Sequence, residues 1–213
     1  MNGILKQVAE YLERHLKESR RFDFEVRYRY EHSIRVANIG IEIAKEENAD
    51  IMVVALSGLL HDYGKFDTEK NVEHGRVSAK LVRPFLETLN IEDTQVELIC
   101  QAIASHCDGN GENLEAIDTL EAKILRDADR IDRFGFNKVF LRRFLDHQKA
   151  LTDANNQMEL TRRRIHILES LISEDRMSTE LGKTMLEKRV NFQVQFYKRY
   201  LRELELSNLL EFD

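Results

Sequence analysis

The chain has 213 residues, 42% of them hydrophobic and 33% charged, with 32 Lys and Arg against 38 Asp and Glu for a formal charge of −6. A chain of this length buries a substantial core without disulfides or structural metal, and this composition excludes a disordered or collagen-like polymer. The negative balance disfavours broad binding to a phosphate backbone, and one Pro with nine Gly leaves few of the turns that strand-rich folds consume.

Three- and four-residue spacing of apolar positions recurs along nearly the whole chain, and period-two alternation is not sustained anywhere, so the sequence predicts an all-α fold. Residues about 3–18 place Ile4, Leu5, Val8, Tyr11, Leu12 and Leu16 on one helical side. RRFDFEVRYRY then reads as an aromatic and basic link, followed by a helix from about Glu31 to Asn48 bearing Ile34, Val36, Ile39, Ile41 and Ile43. An apolar helix from about Asp50 ends near Gly64. Its run Ile51 to Leu60 is well short of the roughly 20 residues of a membrane span. The N-terminal MNGILKQVAEYLERHLKES lacks a signal-peptide layout, which gives a cytoplasmic expectation.

Asp67 to Glu73 reads as a loop, and the helix from about Glu73 to Leu89 contains Pro84, which is expected to kink or split it. A helix from about Asp93 to His106 is followed by the turn-rich CDGNGEN. Asp118 looks like an N-cap with Glu121 for a capping box, opening a helix that runs to about Phe134 and stops at Gly135. Residues 137–213 read as charged helix with LTDANNQM as the internal break. From Lys138 onward 14 basic residues face 12 acidic ones, so the acidity resides in the first part, and Arg162, Arg163 and Arg164 read as a solvated face. The expectation is one domain over 1–213, with a core of about 31–135 and a helical extension of about 137–213. Cys100 and Cys107, seven apart and without a CxxC, are read as reduced.

Polar groups at core-facing positions carry the chemistry. His32 shares the stripe of Val36, Ile39 and Ile43; His61 continues the face of Val54 and Gly58; His106 follows Ile99, Ala102 and Ile103; Asp129 follows Ala122 and Leu125. Buried unpaired carboxylates and imidazoles cost free energy, so several converging groups need a mutual compensator, which a divalent metal provides. Asp132, at i+3 from Asp129, shares roughly its face and competes for the same role, whereas Asp127 points elsewhere.

The order of these groups, His32 in EHSIRV, His61 and Asp62 in LLHDYGKF, then Asp129 in LRDADRID, resembles the HD-domain metal-dependent phosphohydrolase superfamily from about Glu31 to Asp132. The resemblance implies an HD-type helical bundle with additional C-terminal helices, and His32, His61, Asp62 and Asp129 as ligands of one tightly held divalent metal. Imidazole with carboxylate suits Mn, Fe, Co, Ni or Zn. His74 in VEHGRVSAKLV and His106 in AIASHCDGNG stand where two-metal members place further histidines, but where those members often have a second histidine after the first, this chain has Cys107. His74 and His106 are therefore expected to hold a second metal, bind phosphate or act as acid and base.

Lys65, three residues after Asp62 where related hydrolases carry a glutamate, is expected to bind phosphate in an HDxGK arrangement, with Asp62 and Lys65 as the catalytic pair and Arg35, Arg130 and Arg133 as weaker substrate contacts. The implied activity is hydrolysis of a small phosphate ester or anhydride, with a nucleotide as the specific expectation. The rivals are a cyclic nucleotide or dinucleotide phosphodiesterase, a di-iron oxygenase, and a non-catalytic helical sensor or scaffold. His15, His147 and His166 sit among charges and are assigned no role.

Overall fold

The computed structural model describes residues 1–70, 73–107, 119–137, 139, 154–174 and 176–206. The chain divides into two compact units, Met1–Asp132 and Arg133–Asp213. All regular structure among the described residues is helical, and no described helix is long and apolar enough to cross a membrane.

The first unit contains α1 (Asn2–Glu18), α2 (Asp23–Glu47), α3 (Ile51–Leu60), a one-turn 3-10 helix (Tyr63–Phe66), α4 (His74–Leu86), α5 (Asp93–Ser105) and α6, which starts at Leu120 and ends with Arg133, just past the boundary between the units. α3 is buried on nearly all sides and packs against α1, α2 and α5. Its Val53, Leu56 and Leu60 meet Leu12 and Leu16 of α1, Val82 and Leu86 of α4, and Ile99 and Ile103 of α5 in one core. An all-apolar helix of this kind belongs at the centre of a bundle.

Four boundaries differ from the sequence expectation. α2 begins at Asp23, so the supposed link RRFDFEVRYRY is mostly helix. Nothing in that segment breaks a helix, the Glu25 carboxylate accepts the Phe22 N–H at 3.4 Å, and Val26 and Tyr30 pack against the core. α3 ends at Leu60 rather than near Gly64, because the chain tightens into the 3-10 turn. Pro84 neither kinks nor splits α4. It lies in the last turn, where the helix is about to end at Leu86. At the start of α6 the Thr119 hydroxyl accepts the Ala122 N–H at 3.2 Å, while Glu121 accepts the Asp50 N–H at 3.2 Å; Asp118 and the turn after Cys107 lie outside the described residues.

Two glycines set how closely the helices approach. A β-carbon at Gly58 of α3 would lie 2.6 Å from the Ala37 Cα and 2.8 Å from its N, so α2 and α3 cross with backbone against backbone. A β-carbon at Gly75 of α4 would meet the Ile103 and Ala104 carbonyl oxygens at 2.8 and 2.9 Å, bringing the start of α4 onto the end of α5. The α2–α3 turn is fixed by Asn48 in the left-handed region (φ 56°) and by Asp50, whose Oδ1 accepts the Met52 and Val53 N–H groups at 2.8 and 3.1 Å.

The second unit pairs α7 (Ala154–Ser173) with α8 (Glu180–Leu206) in antiparallel fashion. Tyr200 Oη donates to Gln157 Oε1 at 2.7 Å near one end, and Arg164 to Gln193 Oε1 at 3.3 Å further along. α7 already runs through Ala154–Met158, so that part of LTDANNQM is helical, and residues 151–153 lie outside the described set. A break also falls before Thr179, whose hydroxyl accepts the Gly182 N–H at 3.2 Å. Arg162 and Arg163 are exposed, and Arg164 is half-buried.

Gly58→Ala tests the close crossing. The added methyl meets main chain, which has no rotamer to change, so thermal unfolding should report a loss of about 1–3 kcal/mol, the usual range for overpacking. An unchanged melting temperature would mean that α2 and α3 slide apart without cost.

Candidate metal centre

Two histidines occupy equivalent positions at the ends of two helices. His61 follows the last residue of α3, and His106 follows the last residue of α5. Carbonyls in the last turn of a helix lack intrahelical donors. His61 Nδ1 donates to the Gly58 carbonyl at 2.8 Å, and His106 Nδ1 to the Ile103 carbonyl at 2.7 Å. A carbonyl only accepts, so each Nδ1 carries the hydrogen and each neutral ring presents Nε2 as a bare lone pair.

Each of those lone pairs faces another imidazole. His61 Nε2 lies 3.2 Å from His32 Nε2 of α2, and His106 Nε2 lies 3.1 Å from His74 Nε2 at the start of α4. The four rings are no more than 6% exposed, so water does not separate them. Two lone pairs at this distance repel, so each gap holds either a hydrogen shared between the two rings or a metal.

Asp62 joins the two pairs. Its Oδ2 is 3.6 Å from His32 Nε2 and 3.7 Å from His61 Nε2, and its Oδ1 is 2.9 Å from His74 Nε2 and 3.9 Å from His106 Nε2. Asp129 Oδ1 lies 3.4 Å from His32 Nε2 and 4.0 Å from His61 Nε2. Ligands roughly 2.0–2.2 Å from one ion are separated by about 3–4 Å. His32, His61 and Asp62 meet this spacing as one donor set, with Asp129 at ligand spacing from both imidazoles, and His74, His106 and the second Asp62 oxygen form another beside it. Nitrogen and carboxylate donors of this kind fit a divalent transition metal.

The surrounding residues orient these donors. Asp132 Oδ2 accepts from His32 Nδ1 at 2.7 Å and is gripped by Arg35, through Nε to Oδ1 at 2.7 Å and Nη2 to Oδ2 at 3.1 Å. A carboxylate behind a ligating imidazole fixes its tautomer and direction. Asp132 therefore stands behind His32 rather than beside Asp129. Arg35 spends its Nε and Nη2 donors on Asp132. Arg29, on the same face of α2 as His32, pairs with Asp62 Oδ2. The sequence reading missed Arg29 because it took residues 20–30 for a link; its i−3 spacing from His32 is the signal, visible only once that segment is helix.

Lys65 Nζ lies 3.2 and 3.5 Å from the two nitrogens of His74. Such near-equal distances place the ammonium against the ring's face rather than on either lone-pair axis. Arg130 is half-buried in α6 and Arg133 is exposed. His15, assigned no role from its charged surroundings, stacks on Tyr63 with centroids 3.8 Å apart and meets Asp67 Oδ2 at 3.0 Å. His166 is exposed, and His147 lies outside the described residues.

The charge states follow from this packing. Burial disfavours charge on His32 and His74, yet hydrogen bonds to Asp129 and Asp132 hold His32 up at about 9, and bonds to Asp62 and Cys107 hold His74 at about 9. His61, with burial dominant, falls to about 3. Burial pushes the Asp62 carboxyl up, but His61, His74, Arg29 and His32 together hold it well below the ordinary range. Each imidazole pair adjoining Asp62 thus contains a ring raised above its usual value that can hold a proton in the gap.

These shifts predict a pH optimum for the metal-free protein. His32 and His74, raised from 6.5 to about 9, contribute stability that is complete below pH 6.5 and is lost as pH rises through 9; His61, lowered to about 3, contributes stability that is lost as pH falls from 6.5 toward 3. The melting temperature in the presence of a chelator should therefore peak near pH 6.5. With saturating Zn or Mn the alkaline decline should disappear, and metal uptake at pH 7 should release protons. A chelated protein that grows more stable from pH 6.5 to 9 would contradict the shared-cation reading of the two pairs.

Comparison with known proteins agrees with this geometry. Residues 29–133 match the HD domain model. Ribonuclease Y 1 of Pediococcus pentosaceus is 34% identical over 79 residues, covering 37% of this chain and 14% of that one, and ribonuclease Y of Enterococcus faecalis is 30% identical over 129 residues, covering 60% and 23%. The chain thus spans less than a quarter of either relative. Among solved structures, a predicted HD superfamily hydrolase from an uncultured Thermotogales bacterium aligns over 91% of both chains at 24% identity with a TM-score of 0.63. An HD-superfamily hydrolase from Bacillus thuringiensis aligns over 96% of this chain and 98% of its own at 19% identity with a TM-score of 0.67. These likenesses are of fold. The family model spans both histidine pairs, from His32 through Asp129, so residues 29–133 of this chain carry the HD domain.

Proposed function

We propose that this protein is a metal-dependent phosphohydrolase that cleaves a small phosphate ester or anhydride, with a nucleotide as its substrate. The observation that supports this most is Asp62, which offers one carboxylate oxygen to each of two imidazole pairs. A divalent metal held by His32, His61, Asp62 and Asp129 supplies Lewis acidity and a water of lowered pKa. The protein's own groups do the positioning. Arg29 fixes the Asp62 carboxylate from outside, and Asp132 fixes His32 from behind. Lys65, half-buried beside His74, brings an ammonium to the edge of the centre, where it can pair with a phosphate oxygen.

The ribonuclease Y relatives favour a second reading, in which the scissile bond is an RNA phosphodiester. The same donors serve either bond. A hydrolysis screen of metal-loaded protein against nucleoside triphosphates, monophosphates, cyclic nucleotides and short RNA tests both readings and separates them. No phosphate, pyrophosphate or nucleotide release from any of these at full metal occupancy would overturn the phosphohydrolase assignment.

Asp62→Ala should bring hydrolysis below detection and lower the metal content, with helical content by circular dichroism nearly unchanged, since the side chain is a donor rather than a packing group. Lys65→Ala should keep its metal but lose roughly tenfold to a hundredfold in kcat/KM, because a charge-assisted phosphate contact is worth about 1.5–3 kcal/mol. Unchanged kinetics on the best substrate would return Lys65 to a solvated turn.

A further inference from the structure

The second donor set looks one ligand short when only histidines and aspartates are counted. His74 and His106 contribute two nitrogens and Asp62 one oxygen. The sulfur of Cys107 lies 3.2 Å from His74 Nε2 and 3.3 Å from His106 Nε2, in a triangle with the 3.1 Å separation of the two nitrogens. Ligands at about 2.0–2.1 Å for nitrogen and 2.3 Å for sulfur, subtending 90–110° at one ion, stand about 2.9–3.4 Å apart for two nitrogens and about 3.1–3.6 Å for nitrogen and sulfur. All three edges fall in those ranges. The His106 ring cannot turn away, because its Nδ1 is tied to the Ile103 carbonyl and lies so close to Gly75 that a β-carbon there would stand 3.0 Å from it.

We propose that Cys107 is a ligand of a second metal ion, held with His74, His106 and the Asp62 Oδ1 oxygen, and that this thiolate makes the two metal positions chemically unequal. The inference rests on the metal-centre reading above but not on the identity of the reaction. On binding, the S–H bond breaks, the proton passes to solvent, and the sulfur lone pair forms the bond to the ion. The first position, with two nitrogens and two carboxylates, has no sulfur and accepts harder ions such as Mn. The second, with a soft donor, selects Zn, Co or Fe over Mn and Mg.

Titration of the metal-free full-length protein with Co(II) tests this through a spectroscopic signature independent of activity. Wild type should bind two equivalents, and one of them should carry a near-ultraviolet sulfur-to-cobalt charge-transfer band. Cys107→Ser should lose the band and bind the corresponding ion more than roughly tenfold more weakly, the low end of what loss of even an outer-shell partner costs, while the other ion binds as before. Cys107→His should restore two equivalents without the band, which shows that the variants fold. Cobalt bound by wild type with no charge-transfer band, or a Cys107→Ser protein that takes up its second ion undiminished, would overturn the ligand assignment and leave the first position standing. Failure of wild type to bind any cobalt would overturn both. Absence of hydrolysis with the band present would overturn only the proposed reaction.

Discussion

The structure turns on one small constraint, the hydrogen bond from a histidine Nδ1 to the carbonyl three residues back at the end of its own helix. It occurs at His61 on Gly58 and again at His106 on Ile103. Satisfying a carbonyl that the helix leaves without a donor costs the ring its freedom, and the hydrogen spent there leaves Nε2 as a fixed acceptor. Each acceptor is then set 3.1–3.2 Å from a second imidazole in a site shielded from water. Two bare lone pairs at that distance repel, so each gap takes up a proton or a metal. That demand follows from main-chain hydrogen bonding at two helix ends.

The rest of the first unit brings those ends together. The buried α3 delivers His61 and Asp62 in succession to the middle of the bundle. Gly58 allows α2 close enough for His32 to face His61, and Gly75 allows α4 close enough for His74 to face His106. These are backbone-to-backbone approaches, stiffer than side-chain packing because no rotamer change relieves them. A rigid frame of this kind holds ligands near the required spacing before any ion arrives, which lowers the ordering cost of binding.

Much of this was legible in the sequence, and the part that was not has definite causes. The all-helical class followed from unbroken three- and four-residue spacing. His32, His61, His106 and Asp129 announced themselves as polar groups on apolar stripes, a pattern that a solvated helix face does not produce. Arg29 was hidden because RRFDFEVRYRY lacks a clear apolar stripe; its helix is held by a capping carboxylate and by two partly buried residues, Val26 and Tyr30. The duty of Asp132 was hidden because a shared helix face does not say whether a carboxylate meets the metal side or the back of an imidazole. That depends on a rotamer and on Arg35, 97 residues earlier in the chain. Pro84 does not split its helix because α4 ends at Leu86, two residues beyond it, so the donor that proline lacks interrupts no longer run.

The charge of −6 disfavours broad binding to a phosphate backbone, yet the centre is suited to a small phosphate. Average charge governs the mean surface potential, whereas a substrate meets a local field within a Debye length of roughly 8–10 Å. Around Asp62 that field is set by Arg29 on one carboxylate oxygen and by His74, with Lys65 against its ring, on the other. In the metal-free protein the protons held by His32 and His74 add to it, and a divalent ion in their place adds more charge than the proton it displaces. Asp62, Asp129 and the Cys107 sulfur oppose this, whereas the charge of Asp132 is matched by Arg35. The net charge therefore discourages long polyanions from lying across the molecule, while the local charge at the centre suits a small phosphate group.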